Sequence, residues 1–127
     1  MDTNEITKII ITASIEIHRK FGPGLLESIY EKLLAIELRN YGLHVEEQKY
    51  LPLIHKSVIY DNAFRIDLLV NNEIIVEIKS TKTMDPIFFN QLRTYLVLSN
   101  LKIGLLINFG MTTIKEGLKR IVNNYNR

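Results

Sequence analysis

The stretch Arg65-Ile66-Asp67-Leu68-Leu69-Val70, Asn71-Asn72-Glu73, Ile74-Ile75-Val76-Glu77-Ile78-Lys79 decides the fold. Two runs rich in Ile, Val and Leu flank turn-forming asparagines, so the segment reads as a pair of strands. Side chains alternate across a strand, and the register therefore decides whether Asp67 and Glu77 can meet. A loop centred on Asn72 opposes Val70 to Ile74, Leu68 to Val76 and Ile66 to Ile78, which makes one face wholly apolar. On the other face Leu69 opposes Ile75, Asp67 opposes Glu77, and Arg65 opposes Lys79. A two-residue loop would instead send the two carboxylates to opposite faces and bury a charge among aliphatic side chains. The pattern predicts an odd-length loop of three residues with an Asn in the left-handed conformation.

In that register the carboxylates of Asp67 and Glu77 face each other with about 5 Å between their Cβ atoms, and they repel unless a cation or a proton lies between them. Arg65 and Lys79 form a second pair of like charge. The plain alternative is a set of ordinary charges on a solvated sheet face. Like pairs cost stability, however, and make more sense with a metal at the acidic end and a phosphate at the basic end.

The 127 residues suit one domain with a real core. Apolar residues make up 46% and charged residues 24%, an ordinary balance for a globular chain. With no cysteine, disulfides and thiolate metal sites are excluded, which fits a reducing, cytoplasmic setting. No apolar run approaches the roughly 18 residues that cross a bilayer, and Met1-Asp2-Thr3-Asn4-Glu5 is too polar for a secretory signal, so no membrane role is expected. A net charge of +2 means that nucleic-acid binding must come from a local patch.

Along the chain, Ile6, Ile9, Ile10, Ala13, Ile17 and Phe21 repeat at a helical period over Asn4 to about Phe21, where Gly22-Pro23-Gly24 stops the helix. A second helix is expected from about Leu26 to Tyr41, with Ile29, Leu33, Ile36 and Leu38 on its apolar side and Gly42 as its stop. Strands follow over Val45 to Tyr50 and Lys56 to Tyr60, with Asp61-Asn62 as a turn. Asp85-Pro86 opens a third helix through about Leu98, with Asp suited to the cap and Pro to the first turn. The continuous apolar run Ile103 to Phe109 fits a strand buried on both faces. Beyond it, Ile114, Leu118 and Ile121 suit a helix while Gly117 and Ile121-Val122 allow a strand, so residues 112–123 stay open between the two. The order of elements predicts one α/β layer fold.

Glu27 begins the second helix and on its own answers the helix dipole. Tyr30, three residues on, shares its face, so both can point at the sheet, with Tyr30 a candidate substrate contact. Gln91 and Tyr95 share a face of the third helix; taken singly, Gln91 suits a solvent-facing position and Tyr95 a core aromatic. His18, His44 and His55 show no ligand spacing. Lys115, Lys119, Arg120 and Arg127 read as a solvated face, with Arg120 a minor candidate for phosphate.

Gly24-x-x-Glu27-x-x-Tyr30, Arg65-Ile66-Asp67, Glu77-Ile78-Lys79, Gln91-x-x-x-Tyr95 and Gly104-Leu105-Leu106-Ile107-Asn108-Phe109-Gly110 together resemble the GxxExxY protein family, a small branch of the PD-(D/E)XK nuclease superfamily. His18-Arg19 and Lys119-Arg120-Ile121-Val122 are also similar to the family pattern. Ile66 stands where the superfamily's namesake proline precedes the aspartate. The resemblance implies a restriction-endonuclease-like core, with a central mixed sheet of about four to six strands flanked by helices. It implies Asp67, Glu77 and the Ile78 carbonyl as ligands of Mg²⁺ or Mn²⁺, Lys79 beside the attacking water, and Glu27 as the acidic residue of the first core helix. Gln91 and Tyr95 resemble the helix motif of the RecB-like branch, which supports the site and the substrate strand.

The resulting expectation is a metal-dependent nuclease acting on DNA, the superfamily's default substrate. Arg65 would bind a neighbouring phosphate, and Gln91 would hydrogen-bond a water at the site or a base. The alternatives are a catalytically silent module that binds nucleic acid or a protein partner, and an assembly module using the Ile-rich first helix as an interface, possible as a homo-oligomer.

Overall fold

A computed structural model describes residues 1–124, so Arg127 lies outside the described residues. Helix α1 spans Thr3–Phe21, and its Asp2 cap accepts a hydrogen bond from the Glu5 amide at 2.8 Å. Ile6, Ile10, Ala13 and Ile17 bury one stripe of it. Helix α2 spans Glu27–Asn40 and presents a different face from the expected one: Ile29 and Ile36 are 42% and 53% exposed, while Tyr30, Leu34 and Leu38 are buried. The four-residue spacing of those three carries Tyr30 onto Phe109, with the rings stacked 4.3 Å apart.

Strands β1 (Val45–His55) and β2 (Val58–Val70) form one long hairpin that turns at Lys56-Ser57, not at Asp61-Asn62 as expected. Asp61-Asn62 instead belongs to a bulge. Leu51 pairs with Phe64 and Leu53 with Tyr60, so Pro52 alone opposes Asp61, Asn62 and Ala63, and Asn62 takes a φ of 55°. A proline has no N–H to lose, which makes that rung the cheapest one to break. Strand β3 (Ile74–Lys79) follows the three-residue loop Asn71-Asn72-Glu73, in which both asparagines are left-handed at φ 51° and 55°. The expected register holds for Val70 with Ile74, Leu69 with Ile75 and Leu68 with Val76.

Helix α3 (Pro86–Ser99) starts on Asp85, whose carboxylate accepts from the Ile87 amide at 3.0 Å, and ends on left-handed Asn100. Strand β4 (Ile103–Asn108), buried along its whole length, runs parallel to β3. The segment that could be helix or strand is both: a single turn, α4 (Ile114–Gly117), and an edge strand, β5 (Leu118–Val122), antiparallel to β4. The five strands lie in chain order. Helices α1 and α2 cover one face of the sheet over Leu68, Val70, Val76, Ile78 and Leu105. On the other face Leu92 and Leu96 of α3 pack on Ile66, Leu69, Ile75 and Leu106. The α1 isoleucines expected to offer an interface are consumed by this core.

The loop after β3 is tied to the end of β4 by the fully buried Asn108. Its side-chain oxygen accepts from the amides of Thr81 at 3.0 Å and Gly110 at 2.9 Å, while its nitrogen donates to Thr81 Oγ1 at 3.0 Å and the Thr83 carbonyl at 3.2 Å. Gly110 permits the approach, because a Cβ there would lie 2.3 Å from the Thr81 carbonyl oxygen. Asn108→Ala leaves two part-buried amides without their acceptor, at about 1–3 kcal/mol each. Urea unfolding should show a loss on the order of 3 kcal/mol; a loss below about 1 kcal/mol would mean that the loop is held elsewhere.

Candidate active site

Past the Leu68–Val76 rung, β2 and β3 separate, and backbone pairing gives way to side chains. The Asp67 amide donates to Glu77 Oε2 at 2.7 Å, and the Ile78 amide donates to Asp67 Oδ2 at 2.8 Å. Each strand's carboxylate thus occupies the place that its own strand's carbonyl would hold towards the facing amide in a regular ladder. Two register expectations are corrected by this fork. Arg65 does not pair with Lys79, and Ile66 does not face Ile78: Ile66 packs under α3, whereas Ile78 packs with α1 and α2.

Burial raises the proton affinity of both acids. Glu77 is 4% exposed; its burial first, and the Asp67 charge second, push its pKa up to about 8 against the favourable Asp67 amide. Asp67 is raised by burial, opposed by the Ile78 amide and by the charges of Lys79 and Arg65. Two further carboxylates arrive from α2. Glu27, as expected, turns toward the sheet, where it accepts from the Ser80 amide and is raised by burial, with Lys79 opposing. Glu31 is the residue that sequence reading missed. It is 6% exposed, hydrogen-bonds Asp67, and is pushed to about 7 by burial and then by the Asp67 charge. Its signal was available, since Glu31 lies one helical turn after Glu27 on the same side.

The start of α2 is placed by Tyr30. Its hydroxyl donates to the Gly22 carbonyl and accepts from the Leu25 amide at 3.0 Å, closing the Gly-Pro-Gly turn. Ser80 Oγ donates to the Leu25 carbonyl at 3.0 Å and fastens that turn to the end of β3. Tyr30 is fully buried with its hydroxyl engaged, so the substrate contact expected of it gives way to a role in positioning Glu27.

Lys79 is half-buried, with Nζ 4.8 Å from the Phe88 ring centre, and its charge acts on Glu27, Asp67 and Glu77. Arg65 lies over the Tyr50 ring at 5.9 Å. Tyr95 stacks on Phe64 at 4.9 Å and feels Glu77 and Asp67, its phenol being raised mainly by burial. Gln91, one turn earlier on α3, is exposed and holds none of the acids. A cleft of about 570 Å³ opens between α2 and the hairpin, lined by Glu27, Glu31, Gln48, Arg65 and Asp67 among others. Arg120 lies outside this cleft, in a separate cavity beside Asn4 and Asn72, and donates to Asn4 Oδ1 at 3.5 Å. His18 Nε2 sits 3.0 Å from the Met111 carbonyl oxygen, apart from the acids.

Among the described residues no three His, Cys, Asp or Glu side chains already converge as a metal cage. The reason is visible at the fork, where Asp67 and Glu77 each turn one oxygen onto a backbone amide. The donor set nonetheless fits a hard divalent cation: it is all carboxylate oxygen, partly desolvated, and self-repelling without added positive charge.

Fold and site together define a class: a three-layer α/β domain whose splayed strand pair gathers acids and one lysine at the mouth of a cleft. The sequence model of the PD-(D/E)XK nuclease superfamily matches residues 4–121, and the chain belongs to that superfamily. Its core is restriction-endonuclease-like, and membership points to nuclease-type chemistry on a nucleic acid. The crystal structure of SSO0001 is similar in fold, with a TM-score of 0.54 and 16% identity over 95% of this chain and 67% of that one. No curated protein matches the sequence.

A raised carboxylate pKa means that the folded state holds extra protons between about pH 4.5 and 8. Stability contributed by protonated Glu77 and Glu31 is therefore present at low pH and lost as pH rises through that window. Without divalent cations, thermal midpoints in scanning calorimetry should fall from pH 5.5 to pH 8.5, and Glu77→Gln should flatten the decline. A midpoint that rises across the window would contradict this electrostatic picture.

Proposed function

We propose that the protein is a divalent-metal-dependent nuclease of the GxxExxY group and RecB-like branch, hydrolysing phosphodiester bonds in DNA in the cytoplasm. The observation that carries the reading is the pair of reciprocal bonds by which Asp67 and Glu77 hold each other's strand beside Lys79. Asp67, Glu77, the Ile78 carbonyl and Glu27 would hold Mg²⁺ or Mn²⁺. When bound, such an ion lowers the pKa of water and polarises the scissile phosphate.

The chain's own groups have distinct tasks. Lys79, steadied over Phe88, orients the attacking water and offsets charge that builds on the phosphorus oxygens. Arg65, at the cleft wall, binds the adjacent phosphate. Gln91 and Tyr95 face the substrate strand from α3; the exposure of Gln91 leaves its amide available for a base or a water.

Asp67→Ala and Glu77→Ala should lower divalent-dependent cleavage of labelled single- and double-stranded DNA at least about a hundredfold while circular dichroism still shows a folded chain. The thermal shift given by Mn²⁺ should vanish in Asp67→Ala. Cleavage by Glu77→Ala at the parent rate would defeat the assignment. A parent protein that binds DNA and Mn²⁺ without cutting would instead be a silent binding module.

A further inference from the structure

We propose that Gln48 is a positioning residue of the active site, setting Asp67 through its backbone and Glu31 through its amide. The catalytic consequence rests on the nuclease reading; the geometric one does not.

Three observations lead there. First, the β1–β2 ladder is intact at Glu47 with Leu68 and at Lys49 with Ile66, yet Gln48 between them has a φ of 50°. A left-handed residue other than Gly, Asn or Asp inside a strand is strained by roughly 1–3 kcal/mol and persists only where its surroundings enforce it. Second, the strands change face across this rung. Glu47 turns to α2, meeting Lys32 at 3.1 Å and Arg39 at 3.0 Å, and its partner Leu68 packs in the same layer. Ile66, two residues from Leu68 on one strand and so expected on the same face, packs under α3. The reversal falls on Asp67, opposite Gln48, and it frees the Asp67 carboxylate to reach the Ile78 amide. Third, Gln48 Nε2 donates to Glu31 Oε1, and Glu31 hydrogen-bonds Asp67. An uncharged donor therefore fixes the deepest helix acid without adding a cation that would compete with a bound metal.

Gln48 caps no turn, and the ladder continues on both sides of it. Without the left-handed kink, the rung would pair normally and Asp67 would project from one sheet face rather than into the fork.

Hydrogen exchange of the metal-free protein tests the geometry. Gln48→Gly accepts the left-handed backbone but removes the amide, and Gln48→Asn accepts it with a side chain one methylene too short for Glu31. In both, the Asp67 and Ile78 amides should exchange at least about tenfold faster while the unfolding midpoint stays at or above the parent's for the Gly variant. Mn²⁺ affinity, read by calorimetry, should fall about tenfold, and kcat should fall with KM for DNA unchanged. Parent exchange rates at the two amides, in either variant, would overturn the proposal. A parent that takes up no Mn²⁺ would sink the nuclease reading alone, because the exchange rates would still decide the role of Gln48.

Discussion

The structure depends on an exchange of hydrogen bonds at one point in the sheet, where Asp67 and Glu77 each accept the other strand's amide. A pair of antiparallel strands normally continues until its residues run out. Here two carboxylates replace two carbonyls, and the strands part without leaving buried amides unsatisfied. The same replacement drives both acids into low-dielectric surroundings, which raises their hold on protons and makes the spot hungry for positive charge. Splaying, burial and reactivity at the fork thus have one cause.

The helices are arranged to keep that point open on one side only. Tyr30 and Ser80 lock the Gly22–Leu25 turn against the end of β3, so that α2 delivers Glu27 and Glu31 to the fork. On the opposite side Phe88 and Tyr95 of α3 close over Lys79 and Phe64. Asn108 then fixes the loop between β3 and α3, which sets where α3 can begin. A fully satisfied buried amide is well suited to this, since every bond it makes is directional and none carries charge.

Much of this was legible beforehand, for a physical reason. The odd-length Asn71-Asn72-Glu73 loop could be inferred because the alternative buries a charge, and the sheet adopts it. The cap at Asp85 and the buried run of β4 follow local chemistry in the same way. Local pattern misleads where tertiary contacts outweigh it. The phase of α2 is set by Tyr30 stacking on Phe109, so Ile29 and Ile36 face water despite their hydrophobicity. Asp61-Asn62 looked like a turn and is a bulge, because Pro52 across the hairpin decides where the ladder breaks. The strand reversal at Gln48 has no signature in its own residue type; a glutamine announces neither a left-handed backbone nor a partner on a distant helix. Glu31 carries no motif of its own in the sequence, and only its place one helical turn after Glu27 marks it.

The Pro52 bulge also bears on how the molecule behaves at high concentration. Strand β1 borders the sheet, and near its tip Ile54, Ile59 and Tyr60 are 65%, 62% and 54% exposed. An uninterrupted edge with that composition would recruit other chains into fibrils. Pro52 offers no donor to an incoming strand, and the kink at Asn62 twists the tip away from any flat template, so the hairpin can stay greasy and still resist self-templated aggregation.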